Sequence, residues 1–371
     1  MKQIILLATA AVMALASSCG SSNGYTIKGT VSGNGENIKN GKVYLANTDC
    51  NNPVRDTADI VNGKFMFQGN VQTPGMYVIS IEGINVPIRL FLENANFTVN
   101  AVDTLLDKAE IKGGAAQAAI NTLNAASVRL SEEYNIDDVY KVMANSESTD
   151  EEKEAAMERY GKFSEAMEAV TDSIVKADPV SHYSLYVLKQ KMMDMPIEEV
   201  EALVAQYLAD PEFEGNKTLE SVNQTLQKEL SLKTGAQAPD FTLNDPDGNP
   251  ISLSEIYKKN KITMIDFWAS WCGPCRRFNP TLVKIYKQFH KKGFEILGVS
   301  LDRDAESWKA GIKDDKLTWP HVSDLKYWNS EAAALYNVRY IPQNAFVDSE
   351  GKILARRLSE EEIVEFLEKN L

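Results

Sequence analysis

Residues 262–275 read Ile262-Thr263-Met264-Ile265-Asp266-Phe267-Trp268-Ala269-Ser270-Trp271-Cys272-Gly273-Pro274-Cys275. The apolar run from Ile262 to Trp268, broken only by Thr263 and Asp266, predicts a buried strand. A helix is expected from about Gly273 to His290. Two cysteines at i and i+3 on its first turn can face each other closely enough to bond. Cys272 would meet the unpaired N–H groups and the positive end of that helix, which stabilise a thiolate. Thiolate is the attacking species in disulfide exchange, and a helix N-terminus can lower a cysteine pKa from ~8.5 to ~3.5–7.5. Arg276 and Arg277 follow on the same helix and add to the field.

Working outward, a strand is expected at Glu295–Leu301 and a helix at about Ala305–Asp314. A strand pair, Asn344–Val347 and Ile353–Arg357, follows across Ser349-Glu350-Gly351, and Glu360–Leu371 closes as a helix. A βαβ crossover, a hairpin and a last helix make an α/β arrangement. From about Gly235 to Leu371 the chain resembles the thioredoxin superfamily. More narrowly, it is similar to membrane-tethered periplasmic thioredoxins that share an opening motif with peroxiredoxins. Ala238-Pro239-Asp240-Phe241 matches that opening segment, Trp268 and Trp271 match the tryptophans flanking the active site, and Ile341-Pro342 matches the family's cis-proline.

The resemblance implies a nucleophile at Cys272, a resolving thiol at Cys275 and a redox-active disulfide between them, with no other cofactor and no metal. It implies an active-site loop at Gly273 and Pro274, and a substrate groove formed by Trp271, Ile341 and Pro342, with Trp268 packed beneath. Asp266 matches the buried acid of thioredoxin and is expected to accept the proton of Cys275, through water. Two positions depart from the pattern. Phe278 stands where many tethered relatives carry glutamate, and Gly298 stands where thioredoxin carries the lysine partner of its acid.

The chain has 371 residues, 44% hydrophobic and 25% charged, which is the balance of a globular protein of two or three domains. Its formal charge of −13 and lack of a basic run argue against nucleic acid as a partner. Met1-Lys2-Gln3, the apolar stretch Ile4–Ala16 and Ser17-Ser18-Cys19 read as a secretory signal. They resemble a bacterial lipoprotein signal over residues 1–18, although Ala16 stands where leucine is preferred. That resemblance implies lipidation of Cys19, with residues 19–24 as a tether to a cell-envelope membrane. Period-two alternation, Tyr25, Ile27, Gly29 and Val31 inward, begins a β-sandwich expected over residues 25–110. Asn62-Gly63 signals a hairpin between Asp59–Val61 and Lys64–Phe67. The stretch resembles an uncharacterised β-domain that often precedes thioredoxin-like domains. Residues 115–232 read as four to six helices, with Asp150–Glu154 as a solvated helix start, and residues 235–371 as the thioredoxin-like domain.

The favoured function is a periplasm-facing reductant of protein disulfides. Its partners would be disulfide-bonded periplasmic proteins, a membrane electron donor and the membrane itself through the lipid. A disulfide isomerase or oxidase and a non-catalytic docking scaffold are the alternatives. A peroxiredoxin is disfavoured, because Ile265 and Ala269 stand where its Pro and Thr/Ser would precede the cysteine. Zinc is disfavoured because Cys50, His182, His290 and His321 lack ligand spacing. Cys50 reads as a spectator, and the three histidines as ordinary surface or core residues.

Overall fold

The computed structural model describes residues 24–48 and 55–371. The chain divides into two compact units, the first ending at Glu220 and the second starting at Ser221.

The first unit is β-rich at its start. It runs β1 (Tyr25–Ser32), α1 (Glu36–Lys39), β2 (Lys42–Asn47), β3 (Arg55–Asp59), β4 (Lys64–Gly69), β5 (Gly75–Ile81), β6 (Ile88–Leu92), β7 (Asn96–Val102) and β8 (Glu110–Lys112). Two four-stranded sheets result, ordered β4-β1-β7-β8 and β3-β2-β5-β6. Alternate residues of β1, β5 and β7 are buried, the period that puts successive side chains on opposite faces. One apolar cluster gathers Ile27, Phe67 and Phe97 from one sheet with Leu45, Ile79 and Leu90 from the other.

The Asn62-Gly63 turn forms with φ of 52° and 73°, the pair of positive values that a primed two-residue turn requires. The hairpin expected around it does not continue. Val61 and Lys64 pair, after which β3 runs against β2 and β4 against β1. The turn reverses the chain locally, and the long-range partners then claim the two strands for different sheets.

Six helices follow: α2 (Ala115–Glu133), α3 (Ile136–Ala144), α4 (Asp150–Ala177), α5 (His182–Lys191), α6 (Ile197–Ala209) and α7 (Lys217–Ser231). Helix α4 opens on a capping box between Thr149 and Glu152, with Asp150 and Glu151 at its positive end. The division between the units falls within the residues of α7.

The second unit comprises β9 (Thr242–Asn244), β10 (Pro250–Ser252), α8 (Leu253–Tyr257), β11 (Ile262–Trp268), α9 (Gly273–Phe289), β12 (Phe294–Ser300) and α10 (Ala305–Asp314). It continues with β13 (His321–Ser323), α11 (Glu331–Leu335), β14 (Gln343–Asp348), β15 (Ile353–Arg356) and α12 (Glu360–Asn370). Its seven strands form one sheet, ordered β10-β9-β13-β12-β11-β14-β15. Strands β11, β12 and β13 are parallel, and β14 returns antiparallel to β11. All seven residues of β11 are buried, because this strand lies near the middle of the sheet. That position explains why its sequence is apolar without alternation. This unit is a thioredoxin-like α/β domain.

Candidate active site

The end of β11 delivers the chain to the start of α9, and the cysteine pair occupies that junction. Cys272 is the N-cap of α9, and its sulfur accepts the N–H of Cys275 at 3.1 Å. Pro274 lies in the first turn, where a missing N–H removes no helical hydrogen bond. Cys272 and Cys275 are joined as a disulfide, with their Cα atoms 5.3 Å apart. Both are buried, Cys272 at 4% exposure and Cys275 at 1%, so Cys272 is the more exposed residue of the pair.

The Ile341–Pro342 peptide is cis. The carbonyl oxygen of Ile341 lies 3.7 Å from the Cys272 sulfur, so this loop borders the disulfide directly. Trp268 is fully buried, whereas Trp271 is 46% exposed. Trp271 meets Tyr327 and Trp328, with ring centroids 5.1 and 6.1 Å away. The Arg303 guanidinium stacks on Tyr327 at 4.0 Å. These three neighbours escaped the sequence reading. They arrive on loops after β12 and β13, and the adjacent aromatics Tyr327-Trp328 were the only signal.

The active-site turn is clamped from below. Ser270 donates its N–H and its hydroxyl to Asp302, at 3.0 and 2.6 Å, and Ser300 donates to the same carboxylate at 2.7 Å. Arg276 donates to the Ser270 carbonyl at 3.1 Å and forms a two-point pair with Asp315, which also accepts from Asn279. The charge of Arg276 is therefore balanced locally, and its contribution to the field at Cys272 is small. Phe278, at the position of the missing glutamate, packs against the apolar core.

Asp266 lies in the middle of β11, in register with Gly298 of β12 and Asn344 of β14. It is 2% exposed, and burial pushes its carboxyl up to about 7. Its Oδ2 has no hydrogen-bond partner among the described residues. A buried carboxyl that titrates near neutrality can hold or release a proton under working conditions.

Among the described residues no group of His, Cys, Asp and Glu could hold a metal ion, and no helix is long and apolar enough to cross a membrane. Cys19 and Cys50 lie outside the described residues.

A strand–cysteine–helix junction on this sheet defines a thioredoxin-like redox domain. Residues 234–356 match the AhpC/TSA family, and residues 25–120 match a domain of unknown function, DUF4369. The thiol-disulfide oxidoreductase ResA of Geobacillus kaustophilus is 30% identical over 144 residues, spanning 38% of this chain and 80% of that protein. The thioredoxin-like protein YneN of Bacillus subtilis is 32% identical over 130 residues, spanning 34% of this chain and 72% of its own. A solved thiol-disulfide oxidoreductase from Bacteroides fragilis is 38% identical over 36% of this chain and 99% of that one, with a TM-score of 0.35. The chain belongs to the thioredoxin-like thiol-disulfide oxidoreductases of the AhpC/TSA family, with a separate N-terminal domain, and it is an enzyme of that class.

Proposed function

We propose that the protein reduces protein disulfides outside the cytoplasm through its Cys-Gly-Pro-Cys pair. The thiolate of Cys272 attacks one sulfur of a substrate disulfide, that S–S bond breaks, and the departing substrate thiolate takes a proton from water. Cys275 then gives its proton to Asp266, and its thiolate attacks the Cys272 sulfur. The mixed disulfide breaks, the second substrate sulfur leaves, and the Cys272–Cys275 disulfide closes. Two electrons pass from the enzyme to the substrate. The observation that carries this reading is the Cys272 sulfur at the N-terminus of a 17-residue helix, accepting the Cys275 N–H. The nearby Ile341 carbonyl and the exposed face of Trp271 support a groove for an extended substrate segment.

In this reading a membrane-borne donor re-reduces the disulfide, and a lipid on Cys19 holds the enzyme at a cell-envelope membrane, facing the periplasm. The two N-terminal sheets act as a sandwich that, with the helical segment, positions the redox domain or gathers partners. Gly273-Pro274 and the buried acid both favour the reductant. A negative charge near the pair disfavours an over-stabilised thiolate, and that stabilisation is what makes a disulfide strongly oxidising.

Equilibrating the full chain against glutathione or dithiothreitol buffers tests the direction of electron flow. The expected potential is nearer ~−270 mV than ~−120 mV, and a value above ~−180 mV would assign the protein to isomerisation or oxidation. A Cys275→Ser variant should retain substrates as mixed disulfides on Cys272. Failure to retain any would favour the docking scaffold.

A further inference from the structure

Three neighbouring strands set Asp266, Gly298 and His321 in one row, each aligned with the next. Aligned residues on adjacent strands project to the same face of a sheet. The middle residue has no side chain, and His321 leans into the gap. A Cβ placed on Gly298 would lie 2.3 Å from His321 Nδ1 and 2.6 Å from its Cε1. Gly298 has no positive φ, so the backbone does not demand glycine there; the imidazole does.

The ring is held between Trp268, 5.5 Å away, and Trp319, stacked at 5.8 Å. His321 is 4% exposed, and neither of its nitrogens has a hydrogen-bond partner among the described residues. The same is true of Asp266 Oδ2. Burying polar atoms without partners is unfavourable. A site that needed only volume would hold an apolar ring.

The indole N–H groups of Trp268 and Trp319 beside the ring are also unpartnered among the described residues, but an indole N–H only donates and carries no charge. The charged groups around this row have partners. On α9, Tyr286 packs on Trp319 and donates its hydroxyl to Glu295. Arg276 and Asp315 hold each other, and Asp302 accepts from Ser270 and Ser300. On β14, the side-chain amide of Asn344 is spent on Leu358. Asp266 and His321 stand two strands apart. Because the imidazole lies over Gly298 of the strand between them, the ring is left one strand spacing, ~5 Å, from Asp266, a gap that one water or a side-chain rotation spans.

We propose that His321 is a positioning residue for the redox reaction, its imidazole serving as the polar partner of ionised Asp266 beneath the cysteine pair. Burial holds the imidazole neutral, down to about 3, so near pH 7 it carries one N–H to donate. That N–H stabilises the carboxylate which must be present to take the Cys275 proton. The inference rests on the reading of Asp266 as that proton acceptor.

Two measurements on the reduced full-length chain test it. The first follows the imidazole ¹⁵N signals of His321 from about pH 5 to 9. They should bend where Asp266 titrates and run flat in Asp266→Asn; flat signals in the unaltered protein would overturn the proposal without any variant at His321. The second follows the Asp266 carboxyl ¹³C signal and the pH profile of insulin reduction in two variants. In His321→Phe both midpoints should rise by at least about one pH unit, with reduction near pH 7 falling about tenfold. His321→Gln keeps an N–H donor and should stay near the parent. An unmoved midpoint in His321→Phe would overturn the role of His321. If Asp266→Asn also left reduction and its pH profile unchanged, the proton-acceptor reading itself would fall.

Discussion

Replacing Asp266 with asparagine should make the second unit more stable at alkaline pH, by an amount that shrinks as pH falls. The carboxyl is buried in mid-strand and pushed up to about 7, whereas an unfolded aspartate titrates near ~3.9. Between those values the folded state keeps a proton that the unfolded state has released. Stability therefore falls as pH rises from ~4 to about 7 and stays lower above it. About three pH units at ~1.4 kcal/mol each give a penalty of about 4 kcal/mol at pH ~8.5 and about 2 kcal/mol at pH ~5.5. Asp266→Asn removes that penalty. Its new amide adds a buried donor worth about 1–3 kcal/mol, but this offset does not change with pH. The readout is therefore the variant-minus-parent difference at several pH values. His321, depressed by its own burial, loses stability as pH falls below ~6.5, in the opposite sense and in both proteins. Denaturant unfolding of the oxidised chain keeps the thiols out of the titration. Tryptophan fluorescence reports only the second unit, because Trp268, Trp271, Trp308, Trp319 and Trp328 all lie there. A difference that stayed constant within ~0.5 kcal/mol from pH ~3.5 to ~8.5 would refute the reasoning, since Asp266 would then ionise as freely folded as unfolded.

Alkylation of the reduced protein at pH ~6.5 should modify Cys272 before Cys275, by mass spectrometry of the peptides; preferential labelling of Cys275 would reverse their roles. Glu229 faces Arg356 and Arg357 at 10% side-chain exposure. Burial raises its carboxyl, but the Asn337 hydrogen bond and the two guanidinium charges outweigh that and hold it low. Glu229→Ala should lower stability by ~3–5 kcal/mol at neutral pH in urea titration, by stranding two arginines. In the parent this contribution should fade as pH falls below ~4, through the depressed value. A Cys19→Ala protein should lose its membrane association on fractionation, and continued sedimentation with membranes would place the anchor elsewhere.

The redox junction was legible because its signals are local. An unbroken apolar run, a Gly-Pro step and two cysteines three residues apart specify a strand, a turn and a helix start within about fourteen residues of chain. Backbone conformation and hydrogen bonding at that range depend mainly on neighbouring residues. The alternating strands of the N-terminal region were legible for the same reason. Strand β13 was not: His321–Ser323 is three residues long, and it is a strand because β12 and β9 lie beside it.

Partnership across distance came only with the tertiary structure. The Asn62-Gly63 turn is written in its two residues, yet which sheet each flanking strand joins depends on β1 and β2. The chain's own residues identify Trp271 as exposed beside a cysteine, but Tyr327 and Trp328 reach it from a segment after β13, and Arg303, from the segment after β12, stacks on Tyr327. Gly298 read as the loss of a partner for Asp266. Packing explains it differently, because an imidazole from the next strand fills the space that glycine leaves open. Local chemistry is set by adjacent residues, whereas burial and the pairing of buried polar groups are set by whatever the fold brings against them.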